Sequence, residues 1–159
     1  MKTLILIDFQ NYYMTQVPEK ERRKIIENTT RLARVFMTND WPIIVVMYED
    51  VFDDVNNDIV PEMKDILLYK NSVLVRKNRP DGSEQVLDQI DFHKWPLNVV
   101  VCGVFGDECL QETVNGLLER DRQIEIEVLK DCMWPDRIVI EEDNENRVSI
   151  RGQSELVVV

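Results

Sequence analysis

Ionisable side chains of three different kinds stand just beyond three short apolar runs: Asp8 after TLILI, Arg76 and Lys77 after SVLV, and Cys109 after NVVVCGV and a glycine turn. A carboxylate can take and return a proton, a cation can hold a charge in place, and a thiol can attack a carbonyl carbon. Together these are the parts of a nucleophilic catalyst. Cys109 carries the most information. Gly106 and Asp107 read as the turn and start of a helix bearing Leu110, Val114 and Leu117, which puts Cys109 in its first turn. There the free N–H groups and the helix dipole favour a thiolate, and a nearby lysine favours it further. Cys109 is therefore expected to be an activated thiol, whereas Cys102 and Cys132 read as small buried residues.

The elements that must position these groups alternate in period. Strand-like runs cover Thr3 to Asp8, Pro42 to Tyr48, Ser72 to Arg76, Asn98 to Val104 and Ile124 to Leu129, and all but the last are continuously apolar. Between them, Ile25, Thr29, Leu32, Ala33 and Phe36 recur at helical spacing, as do Leu110, Val114, Leu117 and Leu118. Met63, Ile66 and Leu67 suggest a short helix, and Val86, Leu87 and Ile90 another. Apolar strands alternating with amphipathic helices predict a mainly parallel, Rossmann-like sheet of about six strands inside a three-layer α/β/α sandwich. In such sheets ligands bind at the carboxyl ends of the strands, where strand order reverses. Asp8, Lys77 and Cys109 all fall on that rim. After Asp131, RIVIEE and RVSIRG flank the turn-prone DNEN, which predicts a C-terminal β-hairpin, and LVVV could add a last strand. Hairpin and tail would either cover their own sheet edge or pair with a second subunit.

Composition narrows the classes. The 159 residues are 44% hydrophobic, the size of one domain with one sizeable core. Thirty acidic against nineteen basic residues leave a net charge of -11, which repels phosphate backbones and anionic membranes. No apolar run approaches the roughly 20 residues of a membrane span, and no secretory leader opens the chain. A cytoplasmic protein is expected. Three cysteines without paired spacing fit reduced thiols.

LILIDFQNYY, VLVRKNR and VVVCGVFGDECLQETVNGLLERDRQIEIEVLKD occur in that order at the strand ends, and together they resemble the isochorismatase-like cysteine hydrolases, which include nicotinamidases. The resemblance runs from about Thr3 to Asp131 and implies one hydrolase domain over residues 1–159, divergent from 132 onward. It implies a catalytic triad of Asp8, Lys77 and Cys109, acting on a small amide, imide or related carbonyl compound through an acyl-enzyme. Backbone amides of Phe105 and Cys109 would form the oxyanion hole, with a cis peptide between Val104 and Phe105. Tyr13 and Phe105 would line the substrate pocket, and Gln10 would either join them or orient the loop that carries Asp8. A homo-oligomer and a small-molecule substrate are implied, without nucleic acid, membrane or cofactor.

Departures mark where this chain differs. Gly106 stands where many members have threonine, and PDGSEQ replaces a phenylalanine and a Gly-Thr pair after the lysine. Metal-binding members use an aspartate and two histidines near the end of the second strand, where this chain reads YEDVFDD and its one histidine is His93. No metal site is expected, although those acids could hold a hard cation weakly. Two other readings fit the same rim. A PIN or NYN nuclease would use Asp8, Asp107, Glu108 and Asp131 as metal ligands but leave Lys77 and Cys109 without a task. A family member that has lost catalysis would bind a ligand or protein partner instead.

Overall fold

The computed structural model describes residues 1–49 and 57–152. Its centre is a six-stranded sheet in the order β3-β2-β1-β4-β5-β6. The strands are β1 (Thr3–Ile7), β2 (Ile43–Tyr48), β3 (Ser72–Lys77), β4 (Asn98–Val104), β5 (Glu125–Trp134) and β6 (Val148–Arg151). Every adjacent pair is parallel. The continuous apolar runs follow from coverage on both faces. In β1, Leu4 and Leu6 enter one core layer while Ile5 and Ile7 enter the other. β4 does the same, with Val100 and Cys102 on the first side and Val99 and Val101 on the second.

Helices supply the outer layers. α1 (Asn11–Met14) is a single turn directly after β1, and α2 (Glu19–Thr38) lays Ile25, Leu32, Ala33 and Phe36 on the first core. A 3-10 helix, Pro61–Leu68, adds Met63 and Ile66 to the same side. The short helix expected there takes this tighter form, with Met63 N–H donating to Val60 and Tyr69 N–H to Ile66. On the other face, α3 (Ser83–His93) contributes Val86 and Ile90, and α4 (Cys109–Arg120) contributes Leu110, Val114 and Leu117.

Strand order reverses between β1 and β4, which run side by side although more than half of the chain separates them in sequence. Gly103 permits their closest approach. A Cβ there would lie 2.5 Å from the carbonyl oxygen of Ile7. The crevice opened at the carboxyl ends of these two strands is where this topology places a ligand.

The C-terminal segment corrects the sequence reading. VSIR forms β6, but RIVIEE forms no strand, so there is no hairpin. Residues 135–147 instead cross over α4 and return the chain parallel to β5. Ile138 and Ile140 pack against the second core, and the Val139 N–H and carbonyl are both bonded to the Gln111 side chain, at 2.6 and 2.8 Å. Arg147 then donates to the carbonyls of Leu118 and Asp121 at the end of α4. A hairpin would have left that helix face bare. The tail LVVV lies outside the described residues, as does most of the acidic stretch after Glu49. No helix of the described residues is long and apolar enough to cross a membrane.

Candidate active site

β1 ends one residue before Asp8, which takes a left-handed conformation with φ 58° while its N–H donates to the Val46 carbonyl at 2.9 Å. Lys77 is the last residue of β3, in register with Tyr48 at the end of β2. From there its ammonium lies 4.7 Å from the centre of the Tyr48 ring and 3.0 Å from Asp8 Oδ2. Its remaining bond, at 2.8 Å, goes to the Pro80 carbonyl. Thr113 on α4 steadies that turn by accepting the Gly82 N–H at 3.0 Å. The altered segment after Lys77 thus supplies the lysine's seat.

Cys109 opens α4, as expected, and the Leu110 and Glu108 amides both donate to the Phe105 carbonyl. The amides of Phe105 and Cys109 themselves donate to no backbone carbonyl among the described residues. The peptide between Val104 and Phe105 is cis. Asp8, Lys77 and Cys109 are 0%, 1% and 5% exposed, so all three ionisable groups are buried. Asp8, Lys77 and Tyr48 all lie close enough to act on the ionisation of the Cys109 thiol.

The thiol differs from its expected state. Burial, followed by the Asp8 carboxylate, pushes the Cys109 pKa up to about 12, and Lys77 only partly opposes them. Desolvation and a like charge outweigh the helix terminus. Cys109 therefore rests as a thiol. Asp8 is also raised by burial, with Lys77 the main opposing influence, and neither of its oxygens receives a well-aligned hydrogen bond among the described residues. Such a carboxylate keeps free capacity to accept a proton. Burial and the nearby Asp8 and Cys109 raise Tyr13 to about 12, so its phenol stays neutral.

An aromatic wall borders these groups. The Tyr13 ring lies 5.8 Å from Tyr48 and 6.0 Å from Phe105, and Phe105 lies 5.8 Å from Trp134. Gln10 faces elsewhere. Its Oε1 accepts the Tyr48 N–H at 2.9 Å and its Nε2 donates to Asn57 at 2.9 Å, so it ties the exit of β1 to the end of β2. Of the two roles open to Gln10, orienting the loop is the one its bonds serve. Sequence reasoning passed over Tyr48 because a tyrosine ending an apolar strand reads as ordinary β-propensity. Its position on the same rim as Asp8 was the available signal.

Gly106 is explained by the rebuilt C-terminus. A Cβ there would lie 2.0 Å from the Pro135 carbonyl oxygen, and the Gly106 N–H bonds Trp134 O at 3.0 Å. Gly106→Thr is expected to cost about 3 kcal/mol or more, read as a lower urea midpoint.

The nicotinamidase type of metal site does not fit. The one histidine, His93, ends α3 and stacks on Trp95 at 4.3 Å. Among the described residues, no three His, Cys, Asp or Glu side chains gather as a metal group. Of the acids proposed as nuclease ligands, Asp107 pairs with Arg137 at 3.0 Å and Asp8 with Lys77.

Strand order, the crevice and the buried polar residues beside it define an α/β protein with ionisable side chains at its topological switch. A family profile for the isochorismatase domain matches residues 2–135. The chain belongs to the isochorismatase family, which replaces the PIN or NYN alternative. No curated protein matches it in sequence. Among solved structures, it resembles N-carbamoylsarcosine amidase from Thermoplasma acidophilum with a TM-score of 0.76 and 17% identity, over 98% of this chain and 99% of that one. The nicotinamidase SaPncA from Staphylococcus aureus gives 0.70 and 16%, over 83% and 81%. The MAR1 ribonuclease from Caenorhabditis elegans gives 0.68 and 22%, over 83% and 64%. At these identities the likeness is one of fold.

Proposed function

We propose that the protein hydrolyses the C–N bond of a small amide, imide or related carbonyl compound, using Cys109 as nucleophile. The reading is supported by a buried, under-bonded carboxylate that one ammonium holds in place and whose charge helps to push up the pKa of the buried Cys109 thiol. As the sulfur attacks the carbonyl carbon, Asp8 takes the thiol proton, and the carbonyl oxygen becomes an anion that the backbone amides of Phe105 and Cys109 would receive. Asp8 then gives that proton to the departing nitrogen as the C–N bond breaks, leaving a thioester on Cys109. Water adds to the thioester with Asp8 again as base, and the acid product leaves as the thiol reforms. Lys77 keeps Asp8 in place throughout. Neutral rings at Tyr13 and Phe105 suit a small planar or apolar substituent. The amidase and nicotinamidase among the structural neighbours support this class of substrate.

Intact-mass measurement after incubation with a library of small amides is the direct test. One acyl group on Cys109, absent from Cys109→Ala, is expected. Absence of both adduct and turnover across the library would make the protein a binding member of its family, and RNA cleavage without amide turnover would overturn the reading altogether. Chelation with EDTA is expected to leave turnover unchanged, because one histidine cannot supply the Asp-His-His set of the metal-binding members. Loss of activity restored by zinc or manganese would contradict this.

A further inference from the structure

We propose that Thr113 is a positioning residue for Lys77, acting through the turn from Pro80 to Gly82, an inference that deepens the hydrolase reading above and rests on it. Thr113 stands one helical turn beyond Cys109 on α4 and is 0% exposed. Its hydroxyl oxygen accepts the buried Gly82 N–H at 3.0 Å and donates a long bond, 3.5 Å, to the Pro80 carbonyl. That carbonyl receives the Lys77 ammonium at 2.8 Å, and the same ammonium holds Asp8 Oδ2 at 3.0 Å. A continuous chain of polar contacts thus runs from Thr113 to Asp8.

PDGS, the segment that departs from the family pattern, is fitted to one face of α4. Thr113, Gly116 and Arg120 share that face by their helical spacing. A Cβ at Gly116 would lie 2.3 Å from Ser83 Oγ and 2.6 Å from Asp81 Oδ1, so the segment reaches the helix only where a side chain is missing. The Ser83 N–H donates to Asp81 at 2.8 Å, and Ser83 Oγ accepts from Arg120 Nε at 2.9 Å. A Cβ at Gly82 would fall 3.3 Å from Lys77 Cδ and 3.6 Å from Thr113 Oγ1, which sets that backbone between the lysine stem and the helix. The helix that opens with Cys109 and the turn that seats Lys77 are fastened together, and Thr113 is the fastening that touches the lysine's own acceptor. Without its hydroxyl the Gly82 N–H is buried unpaired, so the turn shifts to find a partner and the ammonium shifts with it. The titratable groups around Lys77 are Asp8 beyond β1, Tyr48 on β2 and Cys109 on α4. Lys77 opposes the upward push that burial and Asp8 exert on the Cys109 thiol, and a displaced ammonium opposes it less.

Thr113→Val keeps the shape of the side chain and removes the hydroxyl, Thr113→Ala makes the same test with less bulk, and Thr113→Ser keeps the hydroxyl. Labelling of Cys109 by iodoacetamide across a pH series, mapped by peptide mass, reads the hold of the ammonium on the thiol without any substrate. In Thr113→Val and Thr113→Ala, labelling at a given pH is expected to fall about tenfold with the profile displaced upward, and kcat on any amide turned over should fall by about the same factor with KM little changed. Thr113→Ser should restore both. Ile90→Val, which trims the second core two turns along α3, should lower the urea midpoint and leave the profile and kcat unmoved. An unmoved profile in the valine and alanine variants overturns the proposal. So does a serine variant that stays displaced, or an equal displacement in Ile90→Val, since either would mean a loosened core. A displacement that serine reverses, in a protein that turns over no amide, would keep Thr113 in this role and remove the hydrolase reading. Amide turnover with an unmoved profile would do the reverse.

Discussion

Cys109→Ala is expected to lower amide turnover by roughly 10^6-fold, because no other group in the pocket can form the acyl intermediate. The acyl adduct should vanish with it. The thiol is 5% exposed and rests protonated, so its removal deletes little volume and no charge. Thermal midpoint and urea midpoint should therefore stay close to those of the parent, which separates a lost nucleophile from a lost fold. Residual activity within tenfold of the parent would place the nucleophile elsewhere.

Lys77→Met is expected to produce the largest loss of stability, about 3 to 5 kcal/mol at neutral pH, since it strands a buried carboxylate. The pH dependence carries the diagnostic sign. Burial already raises Asp8 above its unfolded value, and Lys77 is the main influence holding it down. Without the ammonium the folded chain keeps the Asp8 proton to still higher pH. Stability tied to such a group is complete below the unfolded pKa and is lost as pH rises through the folded one. Urea midpoints of Lys77→Met should thus come nearest to the parent below about pH 4 and fall away toward neutral pH. The parent should show the same slope more weakly. Adding Asp8→Asn should flatten the variant's profile, and an equally steep profile in the double variant would assign the effect to another group.

Much of this architecture was legible in the chain because coverage leaves a direct trace. LILI and VVVCGV contain no polar position to turn outward, and only a sheet buried on both faces accepts such runs. Asp8 and Cys109 were legible as site candidates because a polar residue at the end of a buried run needs a reason to be there. The C-terminal hairpin failed on an ambiguity of period. Ile138 and Ile140 alternate as in a strand, yet an extended segment laid across a helix alternates in the same way, and Gln111 decides between them from a distant part of the chain. The protonation state of Cys109 failed for a related reason. A helix terminus can be read from neighbouring residues, but burial and the approach of Asp8 arise only after β1 and β4 come together.

The Pro135 carbonyl lodged against Gly106 makes the C-terminal crossing and the turn before Cys109 inseparable in engineering. A tail that crosses here and a side chain at residue 106 exclude one another. Grafting this ending onto a threonine-bearing relative would force open the turn that presents the cysteine. Exchanging it for the helix and strand common elsewhere in the family would leave a gap above the glycine. The modular unit for chimeras is therefore not a contiguous stretch: it is the turn and the tail transplanted as a pair.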